Sequence, residues 1–381
     1  MMSQTVLNVV DTLMVSSLGA KAIAAVGFGG FANFLGVAFI TGMATGVQAI
    51  ASRRKGEGRL SETAVALNGG LLLVLCLAVP LSTFLVLAAP RLMSVLSSDP
   101  EVVAIGSPYL QIRYVAMIAV GANFAFRGYW NGVDKSKLYL RTLLVMHVAN
   151  VSISYVLIFG KLGAPEMGAT GAAIGTSVSV FIGTIYYFAL GRIHARDAGF
   201  LHGIPDRVTM VSMLRLSIPS GLQSFFFAAG LTALFMIVDR IGTNEVAAMN
   251  VLINVTMVAF LPGLGLGLAA ATLVGQALGR QDVDDSEAWG WDVIKVGVTI
   301  MLVLGLPMAI APELILGAFF ADEPEALALA TLPLRLAGLT VWVEAILMVL
   351  LNGIMGAGAT KIGLLVNVGM QWGLFLPVAL A

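Results

Sequence analysis

The stretch VVDTLMVSSLGAKAIAAV, residues 9–26, places one carboxylate, Asp11, inside an otherwise apolar segment. Lys21 marks the expected water boundary ten residues later. At ~1.5 Å per residue Asp11 then lies roughly 15 Å deep, near the middle of a hydrocarbon core about 30 Å thick. An ionisable side chain at that depth costs at least ~2.5 kcal/mol and is typical of a residue that faces a cavity and has a function. The alternative is a shorter or tilted helix with Asp11 near its end.

The composition of the whole chain indicates a polytopic α-helical membrane protein. Of 381 residues, 59% are hydrophobic and 11% are charged, whereas soluble domains average about 25% charged residues. Cys76 is the single cysteine, so the chain has no disulfide framework. Uncharged runs reach the ~20 residues that a spanning helix needs. We expect eleven spans, at roughly 1–18, 27–50, 64–89, 102–126, 140–160, 170–190, 213–238, 246–270, 292–311, 327–350 and 362–381.

An internal repeat divides the chain into two halves. Residues 241–248 echo residues 18–25 at a separation of 223 positions, and residues 356–361 match residues 132–137 at 224. Two equal halves require an even number of helices, so we expect that a final helix is missing at the C-terminus. The start of the first helix is a second candidate for truncation. The predicted segments are an N-lobe over 1–191, a cytoplasmic linker over 192–215 and a C-lobe over 216–381.

The distribution of Lys and Arg predicts the orientation in the membrane. Fifteen of the 21 lie in one set of alternate loops, of which 192–215 is the longest. By the positive-inside rule we expect these loops, and the start of the first helix, on the cytoplasmic side of the cell inner (plasma) membrane. With six spans per half, both halves begin on the same side. The repeats are therefore expected to be parallel, related by an axis along the membrane normal.

Five stretches carry a resemblance to a known family. They are VDTLMVSSLGAKAIAAVG (10–27), the turn Arg53–Arg59, RGYWNGVDKSK (127–137), NVSISYVLIFGKLGAPEMGATGAAIGTSVS (150–179) and LPGLGLGLAAATLVGQALGRQD (261–282). Together they resemble the multidrug and toxic compound extrusion (MATE) family, and the resemblance runs through both halves in order.

The resemblance implies an all-α transporter of twelve helices whose two six-helix lobes enclose a central cleft. It implies a secondary active antiporter, not an enzyme, that exports organic, often cationic, compounds in exchange for H⁺ or Na⁺. We expect a monomer in the lipid bilayer that binds a small-molecule substrate and no nucleic acid, and that needs no cofactor or metal beyond its coupling ion.

The same resemblance implies a cation-coupling site in the N-lobe. Asp11 falls on the first-helix aspartate that the family uses for coupling. Asn150 matches the asparagine of a fifth-helix Asn-x-x-x-Asp motif, but Ser154 stands in place of its aspartate. Thr176 matches a sixth-helix threonine. Loss of the second carboxylate weakens the case for a multidentate Na⁺ site, and the remaining groups suit a single proton at least as well.

Glu344 is a second deep carboxylate. It lies nineteen residues after Glu325 and seventeen before Lys361, near mid-membrane however the span ends are drawn. The resemblance places Glu344 in the slot of a tenth-helix aspartate, so we include it among the coupling residues. The alternative is a structural ion pair with Arg335 or Arg113.

Polar and aromatic residues on other spans are candidates to line a substrate cleft. These candidates are Gln223, Asn123, Asn254 and Phe227. Phe227 occupies the slot in which one branch of the family has a seventh-helix glutamate. Amides on spans commonly just bridge neighbouring helices, which is the alternative for each of the three. His147, one turn before Asn150, is interpreted either as a proton relay or as a packed histidine.

Two other classes of function compete with the antiporter. A lipid-linked-precursor flippase of the wider superfamily would line its cleft with several cations, but away from their ends the spans contain only Arg113 and Arg335. A membrane-embedded enzyme needs clustered His, Cys or acidic residues, and three His with one Cys form no such cluster.

Overall fold

The computed structural model describes residues 14–15, 17–317, 319–320 and 324–380. For eight of these it describes the backbone and not the side chain, namely residues 239, 243, 244, 246, 247, 250, 324 and 326. Helices account for most of the described chain. In chain order the helices are α1 Ala20–Thr41, α2 Met43–Gly56, α3 Val65–Leu96, α4 Pro100–Val115, α5 Met117–Gly132, α6 Ser136–Phe159, α7 Gly168–His194, α8 Arg207–Asp239, α9 Thr243–Gly279, α10 Val283–Ile310, α11 Pro312–Gly317, α12 Pro324–Gly356, α13 Thr360–Met370 and α14 Leu376–Leu380, with a 3₁₀ turn at Leu60–Glu62 and a π-helical turn at Gln371–Phe375.

The described helices confirm ten of the eleven predicted spans. Nine continuous helical runs are long and apolar enough to cross a membrane, and α4 with α5, bent by 43°, form a tenth. The predicted first span, 1–18, falls almost entirely outside the described residues. The all-α fold class is therefore confirmed for the part of the chain that the structure describes.

The bend between α4 and α5 has a physical cause that was not predicted. Two hydroxyls from neighbouring helices donate to backbone carbonyls at the bend: Ser82 Oγ to Tyr114 O at 2.7 Å, and Ser177 Oγ to Ile112 O at 3.2 Å. Side chains that bind helix carbonyls in this way are a recognised cause of kinks. The bend at Ala116 thus needs no proline.

Polar residues set several helix boundaries. Asp99 accepts a hydrogen bond from the Glu101 N–H at 2.8 Å and caps α4, and Asp282 accepts one from the Asp285 N–H at 2.9 Å and caps α10. Asp206 precedes α8. Hydrogen bonds from the Thr209 hydroxyl and from nearby backbone N–H groups hold the pKa of the Asp206 carboxyl below its usual value. Asp206 therefore stays charged at neutral pH at the positive end of the α8 dipole.

The chain forms two compact units, one running up to Phe225 and the other starting at Phe226. The boundary lies inside α8. In the first unit, Phe126 stacks on Tyr187 with ring centroids 5.1 Å apart, and Phe200 packs edge-on at 5.7 Å. The lobe boundaries predicted from the repeat, with a linker at 192–215, remain a prediction.

The first half of α8 packs closely on the junction of α1 and α2 within the first unit. A Cβ added at Gly42 would lie 2.7 Å from the Cα of Gly221, so the two backbones are in direct contact. The hydroxyls of Thr45 and Ser220 share a hydrogen bond of 2.8 Å across this contact. Close approach of this kind is what small residues allow in membrane helices.

The core of the second unit lies where α12 packs against α9 and α10. Its fully buried side chains include Ala259 of α9, Met301 of α10, and Val341 and Ala345 of α12. The opposite side of α12 carries exposed large apolar residues such as Leu336, Leu339 and Val343. Such a surface suits a lipid environment, in agreement with the composition.

Candidate functional site

The antiparallel helices α6 and α7 bring the predicted N-lobe residues together through two glycines. A Cβ at Gly171 would lie 2.7 Å from the carbonyl carbon of Leu157, and one at Gly175 would lie 2.7 Å from the Ser154 nitrogen. Backbones this close let short polar side chains reach across the interface. The local sequence therefore explains why short polar side chains of the two helices meet at this level, in a cluster that we call the α6–α7 pocket.

Asn150 and Thr176 meet in this pocket. The Asn150 Nδ2 group donates to Thr176 Oγ1 at 3.0 Å, and Thr176 Oγ1 donates to the Ala172 carbonyl at 2.9 Å. Asn150 is fully buried. The chain of donors fixes the amide so that its Oδ1 atom points away from Thr176.

Two further oxygens in the pocket have no hydrogen-bond partner among the described residues. They are Asn150 Oδ1 and Ser154 Oγ, and both residues are at most 1% exposed. A buried polar atom without a hydrogen-bond partner costs about 1–3 kcal/mol. In native proteins such an atom usually binds a water molecule or an ion. An amide oxygen and a hydroxyl can bind a small cation or a group that carries a proton.

His147 lies one turn before Asn150 and close to the same face of α6. Both of its ring nitrogens are buried, with no partner in the described part of the chain. The structure therefore does not show the hydrogen bonds that would make His147 a satisfied packing residue.

Asp11 lies outside the described residues, but the end of the same predicted helix is described. Val15 is 3% exposed and packs in one cluster with Ile158 of α6 and Ala172 of α7. Ala172 also supplies the carbonyl that Thr176 binds. Residues close to Asp11 in sequence therefore contact the helix pair that holds Asn150 and Thr176.

Glu344 does not form an ion pair with Arg335, which was the alternative considered from the sequence. The Arg335 guanidinium instead donates to Glu313 Oε1 at 3.0 Å. Helical geometry explains the choice, because Glu344 lies nine positions after Arg335, which places the two residues about 180° apart around α12. Glu344 itself is exposed, next to the buried Ala345.

The four cleft candidates differ in their surroundings. Asn123 bridges helices: its Nδ2 donates to the Val180 carbonyl at 3.2 Å, and its Oδ1 accepts from the Thr184 hydroxyl at 2.8 Å. This is the alternative expected for an amide on a span. Gln223 is half-buried, with its Oε1 atom buried and unpartnered among described residues, and Asn254 is exposed.

The surroundings of Phe227 include a polar group that sequence reasoning missed. Its ring is half-buried, and its carbonyl accepts a hydrogen bond from Gln371 Nε2 at 3.3 Å. Gln371 attracted no attention in the sequence because a single amide in an apolar span has no distinctive pattern. The sequence feature that could have indicated it is a second amide, Asn367, one helical turn earlier in the same apolar segment.

Solved structures identify the class of this fold. The chain superposes on an outward-facing multidrug resistance MATE family transporter of the MOP superfamily with a TM-score of 0.90 and 21% identity, over 99% of this chain and 84% of that one. It also superposes on a MOP superfamily transporter from Pyrococcus furiosus, with a TM-score of 0.87 and 22% identity over 99% and 84%. The fold is that of these membrane transporters.

Sequence comparison establishes the family. Residues 1–156 and 219–380 match the MatE family profile, and the chain belongs to that family. It is 28% identical to the probable multidrug resistance protein NorM of Burkholderia pseudomallei, over 99% of this chain and 81% of that protein. It is 25% identical to the multidrug resistance protein MdtK of Yersinia enterocolitica, over 99% and 83%. The predicted family is confirmed, and these relatives confirm that the protein is a transporter and not an enzyme.

Proposed function

We propose that this protein is a secondary active antiporter that exports organic, often cationic, compounds in exchange for H⁺ or Na⁺. Family membership and relatives named as multidrug resistance proteins support multidrug transport. The observation that carries the coupling part of the proposal is the α6–α7 pocket, where Asn150 Oδ1 and Ser154 Oγ are buried without partners.

In this proposal Asp11 is the group that exchanges the coupling ion, and Asn150, Ser154 and Thr176 surround it. The contact of Val15 with Ile158 and Ala172 supports a first helix that faces this pocket. When Asp11 is charged, the Ser154 hydroxyl can donate a hydrogen bond to it, and a cation bound between the carboxylate and Asn150 Oδ1 stabilises it. When Asp11 takes up a proton, the buried charge disappears, and the first helix can repack against α6 and α7.

Exchange requires that ion and substrate favour different conformations, because a ligand shifts an equilibrium only by its differential affinity for the two states. The proton or Na⁺ would bind the N-lobe pocket in the state that has released substrate. Glu344, exposed on α12, is assigned a secondary role in attracting cationic substrates. Gln223, Asn254 and Phe227 are proposed to line the substrate path, and Asn123 is proposed to support it by bridging α5 and α7.

We place the protein in the inner (plasma) membrane with the basic loops and the start of the first helix in the cytoplasm. We propose that it functions as a monomer. Its partners are then the lipid bilayer and a small-molecule substrate, and no nucleic acid is needed.

Transport into proteoliposomes with an imposed pH or Na⁺ gradient tests the proposal. Wild-type protein is expected to move a fluorescent organic cation when one of the two gradients is present, and Asp11→Asn is expected to reduce that flux at least tenfold. The matched control is Asp284→Asn, which makes the same change in the first turn of α10 and is expected to transport normally. Full gradient-driven transport by Asp11→Asn would move the coupling site elsewhere.

Glu344→Gln separates the two deep acids in the same assay. Because Glu344 is assigned to cation attraction, its loss is expected to weaken transport of cationic compounds several-fold while the dependence on the gradient persists. Complete loss of gradient dependence in Glu344→Gln, with Asp11→Asn active, would place coupling in the C-lobe.

A further inference from the structure

The second unit contains a polar and aromatic contact between α8 and the residues that follow α13. Gln371 Nε2 donates to the Phe227 carbonyl at 3.3 Å, and Trp372 Nε1 donates to the Phe226 carbonyl at 3.2 Å. Two successive side chains therefore bind two successive carbonyls of α8. A Cβ at Gly230 would overlap the Gln371 amide, so the glycine leaves the space that the amide occupies.

The backbone is irregular at this point. Gln371 begins the π-helical turn Gln371–Phe375. Single π-helical turns inside α-helices are rare, and they occur frequently at functional sites. The turn coincides with the one place where side chains of this segment donate to α8 among the described contacts.

Two acceptor oxygens next to this turn have no partner among the described residues. They are Gln371 Oε1 and Asn367 Oδ1, both buried, and the two residues lie one helical turn apart. The donation from Gln371 Nε2 to Phe227 fixes which end of the amide is the oxygen. Unsatisfied acceptors in an apolar setting favour a ligand that brings N–H donors.

Two aromatic rings belong to the same contact between α8 and the π-helical turn. The rings of Phe226 and Trp372 meet edge to face, with centroids 6.0 Å apart and planes at 81°. Such rings attract cations to their faces and stack on planar ligands. Acceptor oxygens and aromatic faces together match a planar organic cation that carries amino groups.

We propose that Asn367, Gln371 and Trp372, with Phe226 and Phe227, form a subsite that selects transported aromatic cations by their N–H groups. This inference rests on the proposed function, since it assigns a substrate class to the transporter. The competing explanation is a structural bridge between helices, in which the amide oxygens contact no substrate. The two explanations differ in selectivity, because a bridge has no reason to distinguish cations with N–H groups from those without.

Equilibrium binding to the full chain in lipid nanodiscs distinguishes them, with two probes. Ethidium is a planar aromatic cation with two amino groups, and tetraphenylphosphonium is an aromatic cation with no N–H group. Gln371→Leu is expected to raise the Kd for ethidium about tenfold and to change the Kd for tetraphenylphosphonium less than twofold. Asn367→Leu is also expected to raise the Kd for ethidium more than that for tetraphenylphosphonium, by a smaller factor. It replaces Gln371→Leu in the test if that variant does not fold.

The matched control is Gln111→Leu in the first unit, where the Gln111 amide also donates to a backbone carbonyl, that of Val86, at 3.3 Å. This variant is expected to bind both probes as wild type does. Equal losses for both probes, or no loss in either Gln371→Leu or Asn367→Leu, would overturn the subsite, as would a wild-type protein that binds neither. Selective binding by wild-type protein that transports neither probe would instead overturn the proposed antiport and leave the subsite in place.

Discussion

Asn68 holds the chain that connects α7 to α8. Its Nδ2 group donates to the carbonyls of Gly199 at 2.8 Å and Gly203 at 3.1 Å, and its Oδ1 accepts from the Leu201 N–H at 2.9 Å. All three loop residues have positive φ angles, between 60° and 91°. One amide therefore adds three hydrogen bonds to a tight loop, in which the Gly199 carbonyl also accepts from the His202 N–H at 3.0 Å.

Asn68→Leu is expected to destabilise the protein by about 2 kcal/mol, because it removes three hydrogen bonds worth roughly 0.5–1.5 kcal/mol each. The measurement is the thermal unfolding midpoint in detergent. Ser94→Ala is the control, since within the described part of the chain the Ser94 hydroxyl donates only to the Arg91 carbonyl of its own helix, at 2.8 Å. An unchanged midpoint in Asn68→Leu would show that the loop is held by other contacts.

For single residues, the sequence predicted which side chains share a site better than it predicted their hydrogen-bond and ion-pair partners. Asn150 and Thr176 were placed in one pocket, and they share a hydrogen bond. The pairing of Arg335 with Glu313, and the amide of Gln371 on a backbone carbonyl, were not foreseen. Partner choice depends on helix rotation and rotamer, which a linear pattern of residue types does not determine.

At the scale of helices, the repeat offers a controlled comparison of two glycines. Gly42 and Gly265 are 223 positions apart, so the predicted repeat places them at equivalent positions in the two halves. A Cβ at Gly42 would lie 2.7 Å from the Cα of Gly221, whereas one at Gly265 would meet nothing within 4 Å. Only the first glycine is required for close helix packing.

Gly42→Ala is expected to lower the free energy of unfolding by about 1–3 kcal/mol, because the backbones of the α1–α2 junction and α8 must move apart. Gly265→Ala is expected to be neutral or to stabilise by up to ~1 kcal/mol, because alanine is the better helix former. Thermal unfolding of both variants beside wild type gives the comparison. Equal effects at the two positions would mean that the α8 contact contributes little to stability.

Helix existence was predictable while helix shape was not. Hydropathy placed ten of the described spans because about 20 apolar residues are needed to cross the bilayer. The 43° bend between α4 and α5 was missed, since it depends on hydroxyls of Ser82 and Ser177 that come from other helices. Conversely, α8 continues through Pro219 as one helix, although proline is the usual sequence sign of a break.

At the scale of the whole molecule, the segment predicted as a linker is anchored to the first unit. Phe200 is 2% exposed among the aromatic rings of the first unit, and the Ala64 N–H donates to the Ala198 carbonyl at 2.9 Å. The compact unit continues past the linker to Phe225. Sequence composition marked this segment as polar and basic, but the burial of a single aromatic residue decides whether such a segment is anchored.

The orientation of the protein in the membrane is predicted from the distribution of Lys and Arg alone. Lys137 lies in the first turn of α6 and Lys161 lies just beyond its end, and both are exposed. The 24 residues of α6 at ~1.5 Å each separate them by about 36 Å, enough to put them on opposite sides of the bilayer. The positive-inside rule puts Lys137, among the basic loops, in the cytoplasm.

Single cysteines at these two positions, in a chain with Cys76→Ala, test the orientation in intact cells. A membrane-impermeant maleimide is expected to label Lys161→Cys directly and Lys137→Cys only after the cells are permeabilised. The permeabilised sample of each variant is the control for expression, because the maleimide can reach both cysteines there. Labelling of Lys137→Cys in intact cells, with protection of Lys161→Cys, would reverse the predicted orientation.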